Sequence, residues 1–383
     1  MLSTIRLAAL VLAAMPGLAW ALETLSFPSE RGNVQVTALV SGLEHPWSLA
    51  FLPDGDMLVT ERAGRLRVVG VNGALSAPLE GLPTVYAQGQ GGLLDVVLSP
   101  AFAEDRLVYV SYAEAGDDKA AGTAVGRGRL SADQSRLERF EVIFRQMPKL
   151  STGVHFGSRL VFDREGYLFI ALGENNQRSA AQDLDKLQGK VVRLYPDGRV
   201  PPDNPFVSAP KQLNARTEIW SYGHRNQQGA ALNPWTGQLW THEHGPRGGD
   251  EINIPQAGKN YGWPLATHGI NYSLEPIPEA RGKMVEGTEA PLYVWEKSPA
   301  ISGMAFYDAQ RFPAWQHSLF IGALAQQALI RLEFKGNQVV HEERLLQQLD
   351  ARIRDVRQGP DGYLYVLTDA AHGQLLRVGL QPE

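Results

Sequence analysis

The chain contains no cysteine among its 383 residues. That excludes disulfide staples and removes thiolate from any metal site. Small exported folds held together by disulfides are therefore excluded, and stability must come from a large core or from bound hard cations. Charge of one sign is also scarce. The net charge is -5 with no run of like charges, which gives no footing to a nucleic-acid surface or a polyanion-binding tail. Beyond residue 21 no apolar run approaches bilayer-spanning length. No long stretch there has the 3.6-residue period of an amphipathic helix either.

The N-terminus is expected to be a leader. Residues 1–21 read as a secretory signal, with Arg6 as the positive region, Leu7 to Met15 as the apolar region and Ala19-Trp20-Ala21 as an A-x-A cleavage site. A membrane anchor is the competing reading, but the apolar stretch is too short to span a bilayer comfortably. Cleavage before Leu22 would leave residues 22–383 as the mature chain. The expected product is an exported protein with no membrane span, a monomer or homodimer.

With 44% hydrophobic residues the chain can bury a large core. Length alone suggests two or three domains, yet all-β architectures often run longer as one unit. A repeat favours one. Leu49-Ala50-Phe51-Leu52-Pro53-Asp54-Gly55-Asp56-Met57-Leu58-Val59-Thr60 pairs two strand-like runs around a turn. Leu160 to Ala171 and Val356 to Val366 repeat it, and weaker copies span Val96 to Val110, Ala231 to Thr241 and Met304 to Ile321. Asp-Gly at a turn has a mechanism: Gly takes positive φ at little cost and Asp bonds its own backbone. Six copies about fifty to sixty residues apart match the blades of a β-propeller. The expected fold is all-β, six four-stranded antiparallel blades around a central channel, forming one domain over 22–383. Two stacked β-sandwiches would not predict one motif along the whole chain. Gly- and Asn-rich loops are expected at 84–92, 115–127, 174–188, 200–216 and 265–290.

Polar density peaks at Trp240-Thr241-His242-Glu243-His244-Gly245-Pro246-Arg247-Gly248-Gly249-Asp250-Glu251-Ile252-Asn253. Glu243, Asp250, Glu251 and nearby carbonyls suit a hard cation such as Ca²⁺. His242 and His244 suit zinc and would share a strand face, but no third ligand stands at a familiar zinc spacing. Tyr86 to Asp95 is a glycine-rich turn without nucleotide-fingerprint spacing. In Gly153-Val154-His155-Phe156-Gly157, a lone histidine is more often structural than catalytic, although neutral imidazole suits proton abstraction near pH 7. Ser221 to Gly229 is either an inter-blade hydrogen-bonded loop or a set of planar donors, Arg225 and Asn226, for an anionic or carbonyl-bearing ligand. Arg352 and Arg354 alternate, so both guanidinium groups share a face. Such a pair needs an anion or carboxylates to compensate it, unless it lies on a surface edge.

Taken together, His244-Gly245-Pro246 with Asp250-Glu251-Ile252-Asn253, Gly258-Lys259-Asn260-Tyr261-Gly262-Trp263-Pro264, Gly223-His224-Arg225-Asn226 and Gln90-Gly91-Gly92-Leu93-Leu94 resemble one family. It is that of the soluble, periplasmic aldose sugar dehydrogenases that use pyrroloquinoline quinone (PQQ), relatives of soluble quinoprotein glucose dehydrogenase. The resemblance covers essentially the whole mature chain in the same order. It implies a six-bladed propeller with the quinone over the channel. His155 would remove the anomeric hydroxyl proton while hydride passes to the quinone C5, with Arg225 near the C5 oxygen. Gln90, Arg225, Asn226, Tyr272, Arg352, Ile353 and Arg354 would be cofactor contacts, as would the segment Ala323-Leu324-Ala325. Some relatives place a lysine in that segment; Ala325 offers no charge, so only its backbone could bond. The carbonyls of Gly245 and Pro246 would hold a Ca²⁺ bridging to the quinone, and Glu251 and Tyr261 a second, structural Ca²⁺. Val154 stands where the glucose enzymes carry an acid, so the base would lack that partner. Two rivals remain: a six-bladed metal-dependent sugar lactonase, with carboxylate and histidine side chains converging on the channel, and a non-enzymatic propeller that binds glycans or a protein.

Overall fold

The structure is a computed structural model that describes residues 24–382; the leader expected at 1–21 lies outside the described residues. Six antiparallel sheets follow one another around a ring. Blade 1 begins with Pro46–Phe51, blade 2 with Leu93–Leu98, blade 3 with Gly157–Phe162, blade 4 with Asn226–Leu232, blade 5 with Ile301–Tyr307 and blade 6 with Ile353–Gln358. These six inner strands face the channel. Blades 2 to 5 carry four strands, blade 1 three, and blade 6 five. The extra strands of blade 6 come from the N-terminal side: Val34–Leu43 pairs with Gly373–Leu380. That pairing closes the ring with the opposite end of the chain and leaves no open edge between first and last blade.

Each repeat is the inner hairpin of a blade. Its turn follows from composition. Gly55, Gly166 and Gly362 donate to the carbonyls of Leu52, Asp163 and Gly359 three residues earlier, with φ of 94°, 84° and 79°, values that favour glycine. Asp54 and Asp361 accept from the backbone two residues on, which fixes the turn locally. The strands then bury their β-branched and aromatic faces between blades, as where Trp240 of blade 4 packs edge-on against Phe306 of blade 5.

One expected loop is a strand. Residues 121–127 lie inside Ala121–Leu130, the third strand of blade 2. The glycines that suggested a loop are there for clearance. A Cβ on Gly126 would come within 2.3 Å of the Phe140 ring, and one on Gly122 within 2.9 Å of the Gln146 carbonyl.

Candidate active site

Every polar motif of the sequence falls at the end of the channel where the inner strands begin. Gln90, His155, Arg225 and Arg352 each precede an inner strand by one to three residues. Beside them lies a cavity of about 240 Å³, which His155 and Arg225 adjoin through the lining residues Phe156 and Asn226 without lining it themselves. Gln90, Asn226, Arg352 and Arg354 line it, with His244 and the side chain of Leu324.

His155 stands at the edge of this cavity in the left-handed region, φ 53°. Gly173 permits that conformation, because a Cβ there would meet the His155 carbonyl at 1.9 Å. The His155 backbone N–H donates to Gln90 Oε1 at 2.8 Å. Its ring Nδ1 lies 2.9 Å from Glu174 Oε2, and the Glu174 side chain is fully buried. Val154 supplies no acid, but Glu174 does, from across the hairpin. With Nδ1–H donated to a carboxylate, Nε2 keeps the lone pair and can accept a proton.

Arg225 is held on three sides. Its backbone N–H donates to Glu243 Oε2 at 2.6 Å, its Nη1 donates to the His244 carbonyl at 3.1 Å, and its guanidinium stands over the Trp263 ring at 5.3 Å. Its buried Nε has no partner, and neither has that of Arg354. Orphaned guanidinium nitrogens beside a cavity fit a ligand that carries carboxylates or carbonyls. Arg354 donates to Asp369 Oδ2 at 2.7 Å and Arg352 to the same atom at 3.4 Å, so a protein carboxylate compensates the pair. Arg62 also lines the cavity and holds the Gln90 turn through the carbonyls of Gly89 (2.7 Å) and Gly91 (3.4 Å).

The remaining expected contacts are differently placed. Ala323 and Ile353 are fully buried in core clusters, and the Ile353 carbonyl accepts from Ser302 Oγ. The N–H groups of Leu324 and Ala325 donate to the carbonyls of Ala300 and Pro299, so the Ala325 backbone donor is already engaged. Tyr272 is 75% exposed and does not line the cavity.

The ion-binding expectation can be tested against the donors present. Gly245 to Gly249 form a tight turn in which a Cβ on Gly245 would meet the Gly248 carbonyl at 2.1 Å. Among the described residues no hydrogen bond is donated to the carbonyls of Gly245 or Pro246. Next to that turn, Glu243 and Glu251 sit opposite each other on neighbouring strands. They line a hollow of about 20 Å³ with Gly245 and Tyr261. Burial pushes the Glu243 carboxyl up to about 8. Burial, then the facing Glu243 charge, lifts Glu251 well above the carboxylate range. Asn253 Nδ2 donates to both, at 3.2 and 2.9 Å. Paired carboxylates, Glu243 buried and Glu251 half-buried, with free carbonyls around an ion-sized hollow, suit a hard cation. The histidines do not converge for zinc. His242 is fully buried with neither ring nitrogen bonded, and His244 Nε2 donates to the Ile301 carbonyl at 2.5 Å.

A propeller with a carboxylate-held imidazole beside an arginine-rimmed cavity at its channel mouth defines a channel-mouth enzyme of the six-bladed class. The model of the glucose/sorbosone dehydrogenase family matches residues 43–377, and the chain belongs to that family. It is 62% identical over 347 residues to the aldose sugar dehydrogenase YliI of Escherichia coli (strain K12), covering 90% of this chain and 93% of that one. The crystal structure of the soluble aldose sugar dehydrogenase from E. coli in its apo-form is 61% identical with a TM-score of 0.89, covering 91% of this chain and 100% of the other. The PQQ-bound aldose sugar dehydrogenase of Streptomyces coelicolor is 28% identical with a TM-score of 0.74, covering 92% and 100%.

Proposed function

We propose that this protein is a quinoprotein dehydrogenase that oxidises aldose sugars at the anomeric carbon to lactones, with PQQ in the 240 Å³ cavity and Ca²⁺ beside it. The observation that carries the reading is the His155–Glu174 pair at 2.9 Å, next to a cavity rimmed by Arg62, Arg352 and Arg354 against one carboxylate, Asp369. A net positive rim suits a polycarboxylate cofactor. The identity to a relative named as an aldose sugar dehydrogenase, and the PQQ bound to another, support the choice of substrate and cofactor.

When bound, the quinone supplies a two-electron acceptor and calcium a Lewis acid beside it. The chain's own residues do the rest. His155 Nε2 takes the anomeric hydroxyl proton, and Glu174 holds the ring in the reactive tautomer and steadies the imidazolium that forms. Arg225, held over Trp263, and Asn226 would help hold the quinone, and Arg352 and Arg354 would supply cationic partners for its carboxylates. The carbonyls of Gly245 and Pro246 would hold the bridging ion, with Glu251 and the Tyr261 carbonyl holding the structural one. Residues 1–21 act as a signal peptide in this reading, and residues 22–383 work in the periplasm.

The lactonase rival requires histidine and carboxylate side chains converging on the channel. Among the described residues no group of three or more His, Cys, Asp or Glu stands close enough to hold a metal. A non-enzymatic binding propeller gives no reason for a buried carboxylate behind an imidazole. The deciding experiment is reconstitution: purified apoprotein should reduce an artificial dye with aldoses only after PQQ and Ca²⁺ are added. Equal dye reduction without the quinone would sink the proposal.

A further inference from the structure

Beneath the cavity, five of the six blades meet in one buried ion lattice. Arg159 of blade 3 is 2% exposed and is pinned at three points: Asp95 of blade 2 at 3.2 Å, Asp355 of blade 6 at 3.0 Å and the Gln228 carbonyl of blade 4 at 2.8 Å. Arg357 ties the same two carboxylates together at 2.8 and 3.0 Å. Ser48 of blade 1 donates to Asp95 at 2.6 Å. Taking Arg159, Asp95 and Asp355 out of water is costly, and packed apolar side chains would often hold a channel as well. Stability alone therefore does not explain the lattice.

Its upper surface is more specific. The Arg159 guanidinium lies 4.1 Å from the centroid of the Trp47 ring. Trp47 is 3% exposed and lines the cavity together with Leu94 and Phe156. Arg159 takes one face of the indole, and the small part of Trp47 left exposed borders the cavity. The cavity is thus lined by two aromatic side chains, Trp47 and Phe156, and by the guanidinium groups of Arg62, Arg352 and Arg354, a combination that matches a flat, polycarboxylated heteroaromatic molecule. A flat ligand on an indole gains stacking energy only if the indole cannot tilt. The cation fixed behind Trp47 prevents that tilt.

Resting on the quinone reading above, we infer that Trp47 is the stacking platform for the planar cofactor, held in position by Arg159 and the lattice below it. The test is equilibrium titration of Ca²⁺-loaded apoprotein with PQQ, followed by the quinone's own absorption. Trp47→Leu should weaken binding about tenfold or more and abolish the band shift produced on binding to the wild type. Trp47→Phe, which keeps a smaller ring, should fall between them. Melting temperatures of the apoproteins report folding, and if the leucine variant fails to fold, the phenylalanine variant decides alone, with binding at least threefold weaker expected. Affinity within twofold of wild type and an unaltered band shift in the folded variants would overturn the inference while leaving the quinone reading intact. A wild type that does not bind PQQ would overturn both.

Discussion

His155 and Glu174 meet across the end of the blade 3 hairpin, Nδ1 to Oε2 at 2.9 Å, although nineteen residues separate them. One Glu174 oxygen is engaged by the ring and the other is buried without a partner. The carboxylate is thus committed to the imidazole and to the charge that proton uptake would create there. Glu174→Gln should lower sugar turnover by about two powers of ten, and His155→Ala by two to four. PQQ affinity should change less than about twofold in each, because neither side chain lines the cofactor cavity. Stopped-flow reduction of PQQ-loaded protein checks this. Wild-type turnover in Glu174→Gln would remove the carboxylate from the mechanism, and lost PQQ binding in His155→Ala would remove the base assignment.

Arg354 and Arg352 address the same oxygen of Asp369 but are not equivalent. Arg354 is nearly buried, with a close 2.7 Å contact, whereas the Arg352 side chain is 47% exposed and 3.4 Å away. A desolvated charge-assisted bond is worth more than an exposed one. Arg354→Ala should therefore weaken PQQ binding by roughly tenfold to a hundredfold, and Arg352→Ala by only a few-fold. Isothermal titration of the apoproteins ranks them. Equal losses, or no loss in Arg354→Ala, would argue against a carboxylate clamp of this geometry.

The blades were legible because the repeat is a local device. Pro, Asp and Gly fix a turn within four residues, and the turn sets the register of an inner hairpin. The outer strands lack that device. Blade 2's third strand was hidden by Gly122, Gly126 and Gly128, whose missing side chains make room for Phe140 and Gln146. Site residues were legible where they stand directly before an inner strand. Glu174 was missed as a partner because the hairpin register of Leu160–Ile170, extended from the turn, sets residue 155 opposite 175, and only the bulge between Gly157 and Arg159 brings 174 there. Arg62, Trp47 and Asp369 gave no such signal, since only ring closure brings blades 1 and 6 to the same cavity.

The Glu243–Glu251 pair predicts an ion requirement that can be measured without turnover. Glu243 and Glu251 on paired strands hold their protons against ionisation unless a cation lies between them, and Tyr261 and Gly245 face the same small hollow. Added Ca²⁺ should raise the melting temperature of the apoprotein and a chelator should reverse the rise. At a hundredfold excess over the dissociation constant the stabilisation should be about 2.7 kcal/mol per site. Glu251→Gln should remove most of one site's share. Calcium-independent melting would refute the hard-cation reading of this segment.

Asp369 sets the expected response to acid. Burial by itself would raise its carboxyl, but the Arg354 guanidinium, helped by His45 and Arg352, holds it well below the usual carboxylate range. The folded state therefore binds this proton less readily than the unfolded chain, whose carboxyl titrates near 3.9. Such a group contributes stability above the unfolded value and loses it as pH falls toward the folded one. Asp369→Asn should be less stable than wild type by about 1–3 kcal/mol at pH 7. That gap should narrow as pH drops from about 5 to 2, because the unfolded chain takes up this proton there while the folded carboxylate, paired with Arg354, stays ionised. Urea melts of the two apoproteins across this range test it. A gap that is absent at pH 7, or that stays constant down to pH 2, would show that the carboxylate's charge is not what holds the two guanidinium groups at the channel mouth.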